Sequence, residues 1–157
     1  MKNNRFYVLL TIVLLVLVGT TALAPRPALA QSGGGSGTLT ASGDGLAGLR
    51  GNGTVTISGN GILWIRDHNG DATIQVSGSG AKRELPNGWM RYVGFRGQAT
   101  VSGSLITVAL SGYDIHLQAT GTGRFVLRGN GTYTVEKDGA VIMSGKWPER
   151  AEVLRMP

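Results

Sequence analysis

Cysteine is absent from the chain, so no disulfide can staple the fold and no lipid can be attached at a cysteine. Nucleophile elbow, P-loop and zinc spacings are missing as well, and no serine or carboxylate can be assigned by spacing to His68 or His116. No set of acid, base and nucleophile can be assembled, so the expectation is that the protein is not an enzyme. Helical periodicity is absent after the first thirty residues, apart from a short stretch at 149–156 crowded by Pro148 and Pro157. Charge is sparse too. Removing Lys2, Arg5 and Arg26 with the leader discussed below leaves twelve basic against nine acidic residues, a net of +3. That weak balance argues against nucleic acid as a partner, because its binders concentrate basic charge.

Glycine is what the chain has in excess, 26 of 157 residues, without the every-third period of collagen. Many of these glycines form GxG triplets: Gly43-Asp-Gly45, Gly51-Asn-Gly53, Gly59-Asn-Gly61, Gly121-Thr-Gly123 and Gly129-Asn-Gly131. A triplet plus five strand-like residues makes an eight-residue unit, and Leu49-Arg-Gly-Asn-Gly-Thr54 recurs letter for letter at Leu127 to Thr132. Between triplets the odd positions are apolar or Gly, from Leu39 through Val55, Ile57 and Leu63 to Ile65. The same register returns from Ala99 to Val135, with Leu105, Ala109 and Tyr113 in it. Such alternation marks strands with one buried face. A two-residue hairpin loop would flip the inward parity, so each GxG is either a three-residue turn or a bend where a long strand curls. The expected fold is all-β, an antiparallel sandwich or small barrel of many short strands. A β-solenoid is the alternative, disfavoured by unequal repeat spacing.

The N-terminus reads as a signal peptide over residues 1–30: Lys2 and Arg5, an apolar run from Phe6 to Val18, and Ala28-Leu-Ala30 as the cleavage site. Residues 31–37 read as a Gly/Ser tether, 38–147 as a single domain and 148–157 as a tail. Export to the periplasm, cell surface or medium follows, with contact to a membrane only through an uncleaved leader. The Ser-Gly-x-Gly punctuation at Ile57–Gly61 and Val76–Gly80 resembles that of Gly-rich exported bacterial proteins of the adhesin kind and transfers no catalytic residue.

Three groups of side chains are candidates for binding. Arg50, Arg96 and Arg128 each precede a glycine in copies of the repeat and fall on the outward register, where neighbouring strands could align them into a basic stripe for an anionic polysaccharide or headgroup. Trp64 and Trp89 are the indoles suited to stacking on a sugar, with Trp64 also outward. Asp67, Asn69 and Asp71 alternate as in the first half of a calcium loop, though Ala72 stands where that loop needs Gly; the competing assignment is a type I′ hairpin turn at Asn69-Gly70. No other cofactor is expected. The function expected is that of a non-catalytic module of the cell envelope or surface, either structural or binding surface polysaccharide and envelope components.

Overall fold

The alternation that begins at Thr38 produces strands and little else. The computed structural model describes residues 36–157; the leader, its cleavage site and the tether up to residue 35 lie outside the described residues. Five antiparallel strands account for the described residues: β1 (Gly37–Asp67), β2 (Thr73–Leu85), β3 (Trp89–Lys137), β4 (Ala140–Lys146) and β5 (Glu152–Met156), with one 3-10 turn at Pro86–Gly88. β3 pairs with each of the other four, and the sheet stays open instead of closing into a barrel.

β1 and β3 run far beyond the usual 3–10 residues of a strand, because each bends at its GxG triplets without breaking its ladder. The register shows how they wind. Leu39 pairs with both Ala119 and Val135, Leu49 with Val108 and Phe125, and Ile57 with Ala99 and Leu117. Nearly every β1 residue thus meets β3 on both sides, at positions sixteen to eighteen residues apart. A two-stranded ribbon coiled on itself does this when one turn takes two eight-residue pieces. Sorted by partner, the pieces form two layers. Residues 73–79, 97–103, 53–59, 115–121, 37–43, 131–137 and 140–146 are successive neighbours in the first. Residues 81–85, 89–93, 61–67, 106–112, 45–51, 123–129 and 152–156 are successive neighbours in the second. The inward residues of both layers share one core, with Phe95, Phe125, Ile57, Leu63, Ile65 and Leu117 fully buried, each contributing about 1.5–3 kcal/mol by leaving water. The architecture is that of a sandwich whose strands cross from layer to layer at the triplets. The solenoid alternative is not what forms, since every neighbour is antiparallel.

At the corners the two strands lie glycine against glycine: Gly43 opposite Gly131, Gly45 opposite Gly129, Gly51 opposite Gly123 and Gly53 opposite Gly121. Gly53 and Gly121 have φ of 131° and 144°, the region open to glycine. Gly51 is not in that region, yet a Cβ there would overlap the Thr122 carbonyl oxygen. Space as well as conformation therefore selects glycine.

The odd register fails in the middle of β3, where Ile106, Val108 and Leu110 are buried while Tyr113 is 56 % exposed. Two extra residues cause it. The pairing slips by one between Gly53↔Gly103 and Gly51↔Ile106, and again between Gly45↔Gly112 and Gly43↔Ile115. Leu105 (φ 50°) and Asp114 (φ 56°) occupy the inserted places, and each bulge flips the inward parity. The middle residues of two β1 triplets hold these bulges. Asn52 Oδ1 accepts from the Leu105 N–H at 2.7 Å, and Asp44 Oδ1 from the Asp114 N–H at 2.7 Å. Replacing Asn52 by Ala should cost about 1 kcal/mol, the net worth of one such hydrogen bond, read as a lower urea midpoint. An unchanged midpoint would show that the bulge needs no acceptor.

Two boundaries differ from expectation. The residues read as a tail supply β5, which pairs with residues 123–127 of β3 and buries Met156. Asn69-Gly70 is not a type I′ hairpin turn: Gly70 alone of the two has positive φ, and the loop joins β1 to β2, which are not neighbours. The adjacent pairs with both φ positive are Asn87-Gly88, which joins β2 to β3, and Asp138-Gly139, which joins β3 to β4.

Candidate functional site: an arginine and tryptophan face

Residues directly opposite on antiparallel strands share a face, with Cβ atoms about 5 Å apart. Across the second layer the outward positions fall into three rows. The first runs Trp89, Arg66, Thr107, Arg50, Arg124, Arg155. The second runs Arg83, Arg91, Trp64, Ala109, Gly48, Val126, Val153. The third runs Val93, Ile62, Ser111, Leu46, Arg128. Seven arginines occupy these rows, and no aspartate or glutamate does. Arg50 faces Arg124, Arg124 faces Arg155, and Arg83 faces Arg91. Like charges directly opposite destabilise a sheet, so the arrangement works against folding. Among the described residues Lys82 pairs with Glu84 at 2.8 Å and His116 Nε2 lies 3.7 Å from Asp114 Oδ1, neither contact involving an arginine.

The two indoles meet edge to face, ring centres 6.0 Å apart. Arg91 lies 4.9 Å from the centre of the Trp64 ring and Arg66 lies 5.6 Å from that of Trp89, both within cation–π range. The Nε of each of these arginines is buried without a hydrogen-bond partner. Small residues beside the indoles leave a trough. A depression of about 480 Å³ is lined by Trp64, Trp89, Leu85, Pro86, Asn87 and Ala109. A second, of about 220 Å³, runs from Ala109 over Gly48 to Val126 and Val153 and is flanked by Arg50 and Arg124. Ala109 belongs to both.

His68 closes one end of this layer, its Nε2 2.9 Å from Thr107 Oγ1. Desolvation first, then the charges of Arg66 and Arg50, hold its pKa below the ordinary histidine value. The cationic field of the face is therefore felt by a neighbour.

Of the candidate residues, Arg50, Arg128, Trp64 and Trp89 lie on this one face. Arg96 does not join them. Phe95 stands where the other corners have their first glycine, so Arg96 takes the middle position of the corner opposite Asn60, to whose Oδ1 its Nε donates at 3.1 Å. Arg66 and Arg124, outward in the same period-two register, join the face, as do Arg83 and Arg91, while Arg155 is the member that no sequence pattern revealed. Tyr92 packs edge-on against Phe95. Trp147 is buried and donates from Nε1 to the Thr132 carbonyl.

The carboxylates of the calcium candidates are engaged, that of Asp67 by the loop itself and that of Asp71 by Ser104 of β3. Asp67 Oδ1 accepts from the N–H of Asn69 and of Gly70, and its Oδ2 from that of Ala72. Asp71 accepts from the N–H and hydroxyl of Ser104, and Asn69 Nδ2 donates to the same hydroxyl. The hydrogen bond from the Ala72 N–H is the largest cause holding the Asp67 pKa below the usual carboxylate value. Among the described residues no group of three or more His, Asp or Glu is placed to hold a metal ion. Asp67 thus shapes the loop, and Asp71 fastens it to β3 beside the Leu105 bulge.

The opposite layer differs throughout. Its outward rows are mainly hydroxyls and amides, as in Gln75, Thr100, Thr56, Gln118, Thr40, Thr134 and Ser144, with Glu136, His116 and Lys146 in the two rows beside that one. Thr56 and Thr100 share a hydrogen bond between their hydroxyls at 3.2 Å.

Because Arg124 stands between two arginines, Arg124→Gln should raise stability, by about 0.2–1 kcal/mol for each like-charged pair relieved. The gain should shrink as salt screens the charges. Melting temperatures of both proteins at low and high salt measure this; a lower melting temperature in the variant would mean that Arg124 is held by the fold. Comparison with protein-family models, curated protein sequences and solved structures returns no match for this chain.

Proposed function

We propose that this chain is an exported, non-catalytic module that holds polyanions at the cell exterior through its arginine and tryptophan face. One observation carries the reading: seven arginines share the outward side of one layer with no acid among them, three times in direct opposition. Charges that merely guard a sheet against aggregation belong on its edge strands, whereas Arg66, Arg50 and Arg124 lie on interior strands. Guanidinium groups suit carboxylate, sulfate and phosphate alike, since their forked donors match two oxygens. The opposite layer, with its hydroxyl and amide rows, supplies a built-in contrast.

Chromatography on immobilised polygalacturonate tests the reading. The protein should be retained at low salt and released as salt rises. Arg50→Gln, Arg124→Gln and Arg155→Gln combined should elute earlier, while Lys137→Gln with Lys146→Gln, in the other layer, should elute with the parent. If both combined variants elute with the parent, the face is not a binding surface.

A further inference from the structure

The trough narrows the ligand class, and this step rests on the polyanion reading above. We infer that the face takes a single linear acidic polysaccharide, laid across the strands along the row Trp64, Ala109, Gly48, Val126. The geometry has three parts. First, the row is floored by the smallest residues of the face, Ala109 and Gly48, and both depressions meet at Ala109. Second, the floor is apolar from Trp64 at one end to Val153, 64 % exposed, at the other. That spans four strand spacings, about 19 Å, room for several sugar rings in a line. Third, Arg50 and Arg124 stand along one side of the row, Arg66 and Arg91 over the indoles. A pyranose ring offers C–H faces to an apolar floor and, in a uronic acid, a carboxylate at its margin. Such a ring matches a floor without charge and flanking rows whose charged members are all arginine. A lipid surface would meet the arginines and indoles but would have no use for a depression between them.

The probes are a defined oligogalacturonate and vesicles of anionic phospholipid, each titrated against the purified protein. Ala109→Phe, directed outward into the trough, should weaken oligogalacturonate binding at least tenfold, and vesicle binding should change less than twofold. Should Ala109→Phe fail to fold, Val153→Phe, at an exposed site, should narrow the far end and weaken the sugar severalfold. The Arg50, Arg124 and Arg155 to Gln variant should weaken both ligands. If trough-filling variants bind oligogalacturonate like the parent while the arginine variant does not, the trough is overturned and the cationic face stands. If the arginine variant also binds like the parent, the cationic face itself is refuted. Vesicle binding without any oligogalacturonate binding would reassign the face to a membrane and overturn the inference.

Discussion

Gly51→Ala should prevent the protein from folding, although alanine is the smallest side chain that can be added. The new methyl would overlap the Thr122 carbonyl oxygen, a backbone atom held in the ladder opposite. Only separation of β1 from β3 at the corner could relieve it, and the corner is where both strands pass between layers. A loss above about 4 kcal/mol is expected, the range kept for severe core lesions. Gly139 provides the control. It has φ of 78° with no atom within 4 Å of an added Cβ, so Gly139→Ala carries only the conformational cost of about 1–2 kcal/mol. The pair separates two reasons for glycine that the sequence cannot distinguish. If urea unfolding shows Gly51→Ala no more destabilised than Gly139→Ala, crowding at the corners is wrong.

The second large effect belongs to the arginines. Each exposed ion pair with a polyanion contributes about 0.5–1 kcal/mol. Removing Arg50, Arg124 and Arg155 together should therefore weaken binding about 10- to 150-fold at low salt. The dependence on salt is the sharper signature, since each guanidinium that pairs with a polyanion displaces condensed counter-ions. The slope of log affinity against log salt should fall by roughly one for every arginine removed. Titrations at three salt concentrations give that slope. An affinity loss with an unchanged slope would locate the effect in packing and not in charge.

Period-two alternation was readable because a bend at GxG keeps parity, so Leu39 to Ile65 stay inward across three corners. Leu105 and Asp114 were not readable as bulges. Both adopt positive φ, which their side chains disfavour, and neither carries the glycine that would announce it. Their positions are set by acceptors some fifty and seventy residues away, at Asn52 and Asp44. The arginine face was partly readable. Arg50 and Arg128 share a place in the repeat and do share a face, whereas Arg96 carries the same two letters, Arg-Gly, two positions out of phase with the corner. Arg124 and Arg155 become neighbours of Arg50 only through the winding of the ribbon. A one-dimensional pattern gives the period of a strand but not the lateral distance at which it returns.

That winding also sets how the chain must fold. The β1–β3 ladder starts at Arg66 opposite Trp89 and ends at Gly37 opposite Lys137, so loop lengths grow steadily along it. Closure entropy rises slowly with each step, yet nearly every contact is distant in sequence, and such topologies fold late, in milliseconds to seconds. The efficient order is a zipper from the Asp67–Trp89 end, with β4 and β5 added last on the finished β3. Until residues 123–137 of β3 are in place, the first half of β1, residues 37–51, has a neighbour on one side only.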